Sequence, residues 1–233
     1  MDKVSGVDFK STNLDIILAI AITGGLPFLC KALYDLTGAL LPILVYYGFC
    51  WGIAFWRKGT ADYYWPEKMI TPLFVILFVL MMILIASAAF VTPIAEGYER
   101  SFSFFMGFAF TLVVWCTINA FSEQLLWIYI YDAFANRFES KGLKILGHAL
   151  GLIFFWGFIG LIHVIFWTKF LLGMEPVSPY FAIFMFLQYP ITIGYLIIYR
   201  KGRSMWPIAI LHFLQDIGGV IAAKYSILPY LFK

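Results

Sequence analysis

Residues 69–90 read MITPLFVILFVLMMILIASAAF, a stretch without one charged side chain. As an α-helix rising about 1.5 Å per residue it extends roughly 33 Å, enough to cross a hydrocarbon layer of roughly 30 Å. Its Val, Ile, Leu, Phe and Met positions fall on every side, with neither the alternation of a half-buried strand nor the polar face of a surface helix. The stretch therefore predicts a helix that lives in lipid.

Outward from it, runs of the same kind recur at 14–32, 37–56, 102–137, 145–170, 179–199 and 204–223, followed by a short apolar tail to Lys233. The composition agrees: 63% hydrophobic and 12% charged residues over 233 positions leave too little polar surface to cover a water-soluble globule. Strand-like alternation is absent, which excludes a β-barrel. The predicted fold class is an all-α, polytopic transmembrane bundle of about seven to eight membrane helices, forming a single transmembrane domain over residues 1–233 without an internal repeat. The opening MDKVSGVDFK carries both charge signs, and no small-residue cleavage site follows the first apolar run, so the first helix reads as retained. Cys30, Cys50 and Cys116 lie in or at the ends of apolar runs without metal-type spacing and read as core or lipid-facing thiols.

Loop charges orient the bundle. If 102–137 is one crossing, alternate connections carry eleven Lys and Arg on one side and five on the other. The positive-inside rule then predicts seven crossings with the N-terminus cytoplasmic; the expected location is a prokaryotic cell membrane. The small net charge of +3 is spread over loops and points to no nucleic-acid partner. The 102–137 run is too long for a simple crossing, so a tilted helix, or a break near Thr117, Asn119 and Ser122, is expected. Trp56, Tyr63, Tyr64, Trp65, Tyr199 and Trp206 fall at span ends, where amphipathic rings favour the headgroup level. Gly147 and Gly151 form a GxxxG pattern that suits close packing within one bundle.

Ionisable side chains at bilayer depth are expensive unless paired or facing a water-filled cavity, which makes each a functional candidate. Four qualify: Glu123, His163, His212 and Asp216, with Asn119, Gln124 and Gln215 as neutral companions. Asp15, Lys31, Asp132 and His148 lie within a turn or two of span ends and read as interfacial. His212 and Asp216 are four apart and share a helix face. A carboxylate with imidazoles nearby suits water activation and proton transfer, the chemistry of hydrolysis. Interhelical hydrogen-bond glue is the bland alternative.

These residues also carry a family resemblance. Ser122-Glu-Gln-Leu-Leu-Trp-Ile-Tyr-Ile-Tyr-Asp132 resembles the EExxxR motif of the CPBP intramembrane proteases, the group of the CAAX prenyl endopeptidases and bacterial Abi proteins. Gly160-Leu-Ile-His163 resembles its second motif, where Ile159 stands at the usual Phe. Trp206-Pro-Ile-Ala-Ile-Leu-His212-Phe-Leu-Gln-Asp216 resembles its third, HxxxN or HxxxD. The ordered set covers residues 102–223. The resemblance implies a helical membrane endopeptidase acting on a membrane-associated peptide or protein, with membrane lipid as its surroundings. It implies Glu123 as general base, His163 as its partner, and His212 with Asp216 on the oxyanion side, without a metal or other cofactor.

Three departures bear on this. Gln124 and Ile128 replace the second Glu and the Arg of the first motif; four apart on a helix, the pair is lost together, so neither charge is stranded. Asp216 stands where Asn is commoner, and a carboxyl donates to an oxyanion only when protonated. The departures keep a second reading open, a catalytically impaired relative serving as membrane scaffold, chaperone or immunity protein. A third, a metal site or small transporter, lacks HExxH and paired repeats.

Overall fold

The computed structural model describes residues 6–91, 102–171 and 179–233. Among them are seven helices and no strand: α1 (Asn13–Thr37), α2 (Leu40–Lys58), α3 (Pro72–Val91), α4 (Phe102–Ala135), α5 (Lys141–Ile165), α6 (Pro179–Gly202) and α7 (Trp206–Ala223). All but α6 meet the length and apolarity of a membrane crossing, and α6 is 24 residues long. The chain is a polytopic transmembrane helical bundle. Its exposed positions are themselves apolar, as with Val75, Ile76, Val79, Met82 and Ile83 on α3, a face that water would not tolerate and lipid does. Lys3 and Arg100, counted among the loop charges, lie outside the described residues.

Local chemistry sets the helix limits. The Asp15 carboxylate accepts the Thr12 backbone N–H at 2.8 Å, one half of a capping box that starts α1. Thr71 Oγ1 accepts the Phe74 N–H at 3.2 Å and starts α3. Gly38 (φ 85°) ends α1 in a conformation natural to glycine, and Leu231 and Phe232 pack so closely that a Cβ there would meet backbone at 2.9 Å.

The helices form two compact units. The first comprises residues 1–62, 122–170 and 230–233. Its centre is the second half of α4, where every residue from Ser122 to Ala135 is buried, as expected of a helix enclosed on all sides. Around it, α1 buries Asp15, Ala19, Ile22, Leu26 and Cys30, and α5 buries Gly147, Gly151, Phe155, Phe158 and Ile162. The two glycines do pack within the bundle: a Cβ on Gly147 would meet the Phe134 carbonyl oxygen at 2.6 Å, and one on Gly151 that of Tyr131 at 2.8 Å. At one end of this unit Asn136 Nδ2 donates to the carbonyls of Val7 and Phe9. At the other end the Ala39 and Leu40 N–H groups donate to the Tyr230 and Leu231 carbonyls.

The second unit comprises residues 63–121 and 171–229. Leu77, Met81, Leu84 and Ala88 make the buried stripe of α3, which packs on α6 and α7. The first half of α4 belongs here. The long run is a single helix, as one crossing requires, and it does not break at Thr117, Asn119 or Ser122. Its irregularity lies earlier, in a π-helical segment Thr111–Trp115. There Thr111 Oγ1 donates to the Gly107 carbonyl (2.7 Å) and accepts the Ile227 N–H (2.9 Å).

A second π-helical segment, Ala54–Lys58, closes α2. Consecutive side chains on a helix point well apart, and its two adjacent cations reach different helices. Arg57 Nε and one terminal nitrogen bind Asp15 of α1 at 2.8 and 3.0 Å, and Lys58 Nζ binds Asp132 of α4 at 3.0 Å. Asp15 and Asp132 have no exposed surface, which overturns their reading as solvated interfacial groups. Lys31, paired with Asp35 at 2.8 Å, is exposed as expected. The aromatic expectation divides likewise: Trp56 and Trp65 are exposed, whereas Tyr199 is wholly buried.

Removing one partner of a buried ion pair strands the other charge. Lys58→Met should lower the unfolding free energy in detergent by about 3–5 kcal/mol, and Lys58→Met with Asp132→Leu should recover most of it. Equal losses in the single and double variants would show that Asp132 is not held by Lys58.

Candidate functional site

Glu123 sits in the enclosed half of α4, one residue past Ser122, and is 1% exposed. Its Oε1 accepts the Trp167 indole N–H at 3.1 Å, and the Tyr46 hydroxyl is also hydrogen-bonded to it. The Trp127 indole donates to the Tyr46 oxygen at 3.3 Å, and the rings of Tyr46 and Trp167 meet edge to face with centroids 5.8 Å apart. One helical step away, Ser122 Oγ accepts the Trp51 indole N–H at 3.0 Å. The carboxylate is thus held by donors from aromatic side chains, within an apolar surround that strengthens each bond and makes its loss expensive. Gln124 and Ile128 are buried at 1% and 2%, positions where neutral side chains avoid two further buried charges.

His163 lies two residues before the end of α5. Its Nδ1 is 2.7 Å from the Ile159 carbonyl on the same helix, while Ile162 and Phe158 supply that helix's buried face. The imidazole itself is exposed, off that buried face. Among the contacts of Glu123 described above, the place beside the carboxylate belongs to Trp167, four residues beyond His163.

In the second unit α7 starts at Trp206, whose indole N–H donates to the Tyr63 carbonyl (3.1 Å) and whose ring packs on Phe121 with centroids 5.3 Å apart. Pro207 in its first turn has no N–H to leave unsatisfied. His212 and Asp216 follow on one face, with His212 Nε2 3.5 Å from Asp216 Oδ1, an ion-pair distance longer than a direct hydrogen bond. Asn119 Nδ2 of α4 donates to Asp216 Oδ2 at 2.9 Å. From α6, the Tyr195 hydroxyl donates to Gln215 Oε1 at 3.3 Å, and its ring lies 6.4 Å from that of His212. One Asp216 oxygen thus accepts from Asn119 and the other faces the His212 ring nitrogen.

Two of the four sequence-predicted residues, His212 and Asp216, are brought together, and Asn119 joins them. Glu123 and His163 belong to the other unit. Trp167 and Tyr46 escaped the sequence reading because aromatic residues within apolar runs suit lipid contact equally well. Among the described residues no group of three or more His, Cys, Asp or Glu could hold a metal ion. No protein-family model, curated protein or solved structure matches the chain.

Trp167→Phe keeps an aromatic ring and deletes the N–H on Glu123 with part of the indole's volume. It should destabilise the folded protein in detergent by about 1–3 kcal/mol, and the effect should shrink in a Glu123→Leu background. An undiminished effect there would mean that the indole acts by packing alone.

Proposed function

We propose that the protein is an intramembrane endopeptidase of the CPBP type, which hydrolyses a peptide bond in a membrane-associated peptide or protein. The observation that carries the reading is the Asn119–Asp216–His212 group, a carboxylate flanked by an amide and an imidazole on helices otherwise built for lipid. Polar groups in such a setting are either packing elements or chemistry, and a second enclosed carboxylate, Glu123, lies on the segment that resembles the first motif.

In this reading Glu123 takes a proton from water as the water oxygen bonds to the peptide carbonyl carbon, and the carbonyl oxygen becomes an oxyanion. His163 gives up its own-helix carbonyl to orient that water and pass the proton to the departing nitrogen. The C–N bond then breaks, leaving a carboxylic acid and an amine. The family resemblance assigns His212 and Asp216 to the oxyanion. The N-terminus and the Arg137 region face the cytoplasm, as the loop charges require, in a prokaryotic cell membrane.

One observation favours the second reading, a catalytically impaired relative acting as scaffold, chaperone or immunity protein. Glu123 is engaged by Trp167 and Tyr46, and the Gln124 and Ile128 replacements leave its surroundings without the motif's other charges.

Purified protein in detergent should cleave members of a quenched-fluorescence peptide library, and Glu123→Gln and His163→Ala should each lose cleavage while staying folded. No cleavage by the wild type, with an intact-motif relative active in the same assay, would leave the impaired-relative reading. Orientation is tested separately by single cysteines at exposed Lys10, Glu139 and Lys169 and at partly exposed Lys31, since Cys30, Cys50 and Cys116 are buried. The first two should be shielded from an impermeant thiol reagent added outside intact cells and the last two labelled. The opposite pattern inverts the topology.

A further inference from the structure

We propose that one end of the first unit is a binding site for an anionic phospholipid, whose phosphate sits among Lys31, Lys169 and Lys233 around Tyr34. Three segments of that unit bring the lysines together: the last turns of α1, the 3₁₀ turn Trp167–Lys169 that follows α5, and the tail after Tyr230. Bonds of their own hold the segments in place. The Tyr34 hydroxyl donates to the Lys169 carbonyl at 3.1 Å, and its ring stacks on Phe170 with centroids 5.5 Å apart. The Lys233 backbone N–H donates to the Thr37 carbonyl at 3.3 Å. Its ammonium then lies 4.4 Å from the centre of the Tyr34 ring and donates to the Asp35 carbonyl at 3.3 Å.

The charges gathered here do not cancel. All three ammonium groups lie within electrostatic reach of the Asp35 carboxylate, and Lys31 alone pairs with it, at 2.8 Å. Lys169 is exposed, and its Nζ meets no acceptor among the described residues. Three positive side chains against one negative leave a surplus of positive charge. A phosphate is the complementary group, because its oxygens accept from several ammonium groups at once. The surroundings select a lipid over a soluble anion. From Asn13 to Lys31 α1 rises about 27 Å, which brings the lysine near the headgroup level of a hydrocarbon layer about 30 Å thick. Phe28, Leu29 and Leu36 on α1, and Phe232 beside Lys233, are exposed apolar side chains suited to acyl chains. Lysines flanked in this way hold an anionic headgroup and its chains together.

The test titrates the full chain, in an uncharged detergent, against phosphatidylglycerol with a fluorescent acyl chain and reads anisotropy, with phosphatidylcholine of the same chains as the net-neutral comparison. Wild type should bind phosphatidylglycerol about tenfold or more tightly than phosphatidylcholine. Lys169→Gln should weaken that binding about fivefold, the share of one lysine near an anionic headgroup, and Lys31→Gln/Lys169→Gln/Lys233→Gln about 100-fold. Asp35→Asn removes the competing carboxylate and should strengthen binding, a gain that a purely structural role for the lysines does not give. Melting temperatures check folding; if the triple variant does not fold, Lys169→Gln and Asp35→Asn decide. Equal affinity of the wild type for the two lipids, or unchanged phosphatidylglycerol affinity in folded Lys169→Gln, overturns the proposal. Release of the lipid by inorganic phosphate, at an ionic strength where chloride leaves it bound, overturns it as well and marks a site for a soluble anion.

Discussion

Arg57 and Lys58 are neighbours in the chain, yet they bind carboxylates on two different helices, and the first unit is organised around that division. A regular α-helix would turn consecutive side chains well apart. At the π-helical end of α2 they likewise diverge, Arg57 to Asp15 of α1 and Lys58 to Asp132 of α4, both carboxylates without exposed surface. In a bundle whose outside is lipid, apolar packing does little to favour one helix arrangement over another. Polar pairs with one correct partner do, because an unpaired charge is expensive. The pairs fix which end of α1, α2 and α4 comes together, and the enclosed half of α4 follows.

That enclosure explains where chemistry-bearing groups come to lie. The segment Ser122–Ala135 is surrounded on all sides, so its polar residues must find partners inside. Tyr129 donates to Asp15 at 3.0 Å, Asp132 takes Lys58, Ser122 takes Trp51, and Glu123 takes Trp167. In the second unit the same demand is met by a different set, with Asn119 of α4 and His212 of α7 both turned to Asp216. The proposed hydrolysis and the glue alternative begin from this one requirement; they differ in whether a partner can be exchanged for water and substrate.

Much of the fold was legible because lipid imposes a length on every crossing helix. The run at 69–90 became Pro72–Val91 and the run at 204–223 became Trp206–Ala223. The long run at 102–137 is one helix, the arrangement under which the loop charges alternate. What stayed hidden was local register. A π-helical segment has no composition of its own, so Thr111–Trp115 and Ala54–Lys58 read as ordinary helix. Asp15 and Asp132 looked interfacial because linear distance from a span end does not tell which way a side chain points. In the candidate site, the four-residue spacing of His212 and Asp216 forecast their meeting, and the depth of Asn119 marked it as a companion. Nothing in the spacing linked Glu123 to Trp167 or Tyr46.

The central proposal is that Glu123, with His163, activates water against a peptide bond. Its most direct measurement is a single-turnover cleavage in water enriched in heavy oxygen, with the products read by mass spectrometry. The account predicts one heavy oxygen in the new C-terminal carboxyl of the product, appearing with wild type and absent with Glu123→Gln. Intact peptide after incubation with folded wild-type protein, or cleavage that persists undiminished in Glu123→Gln, would contradict it.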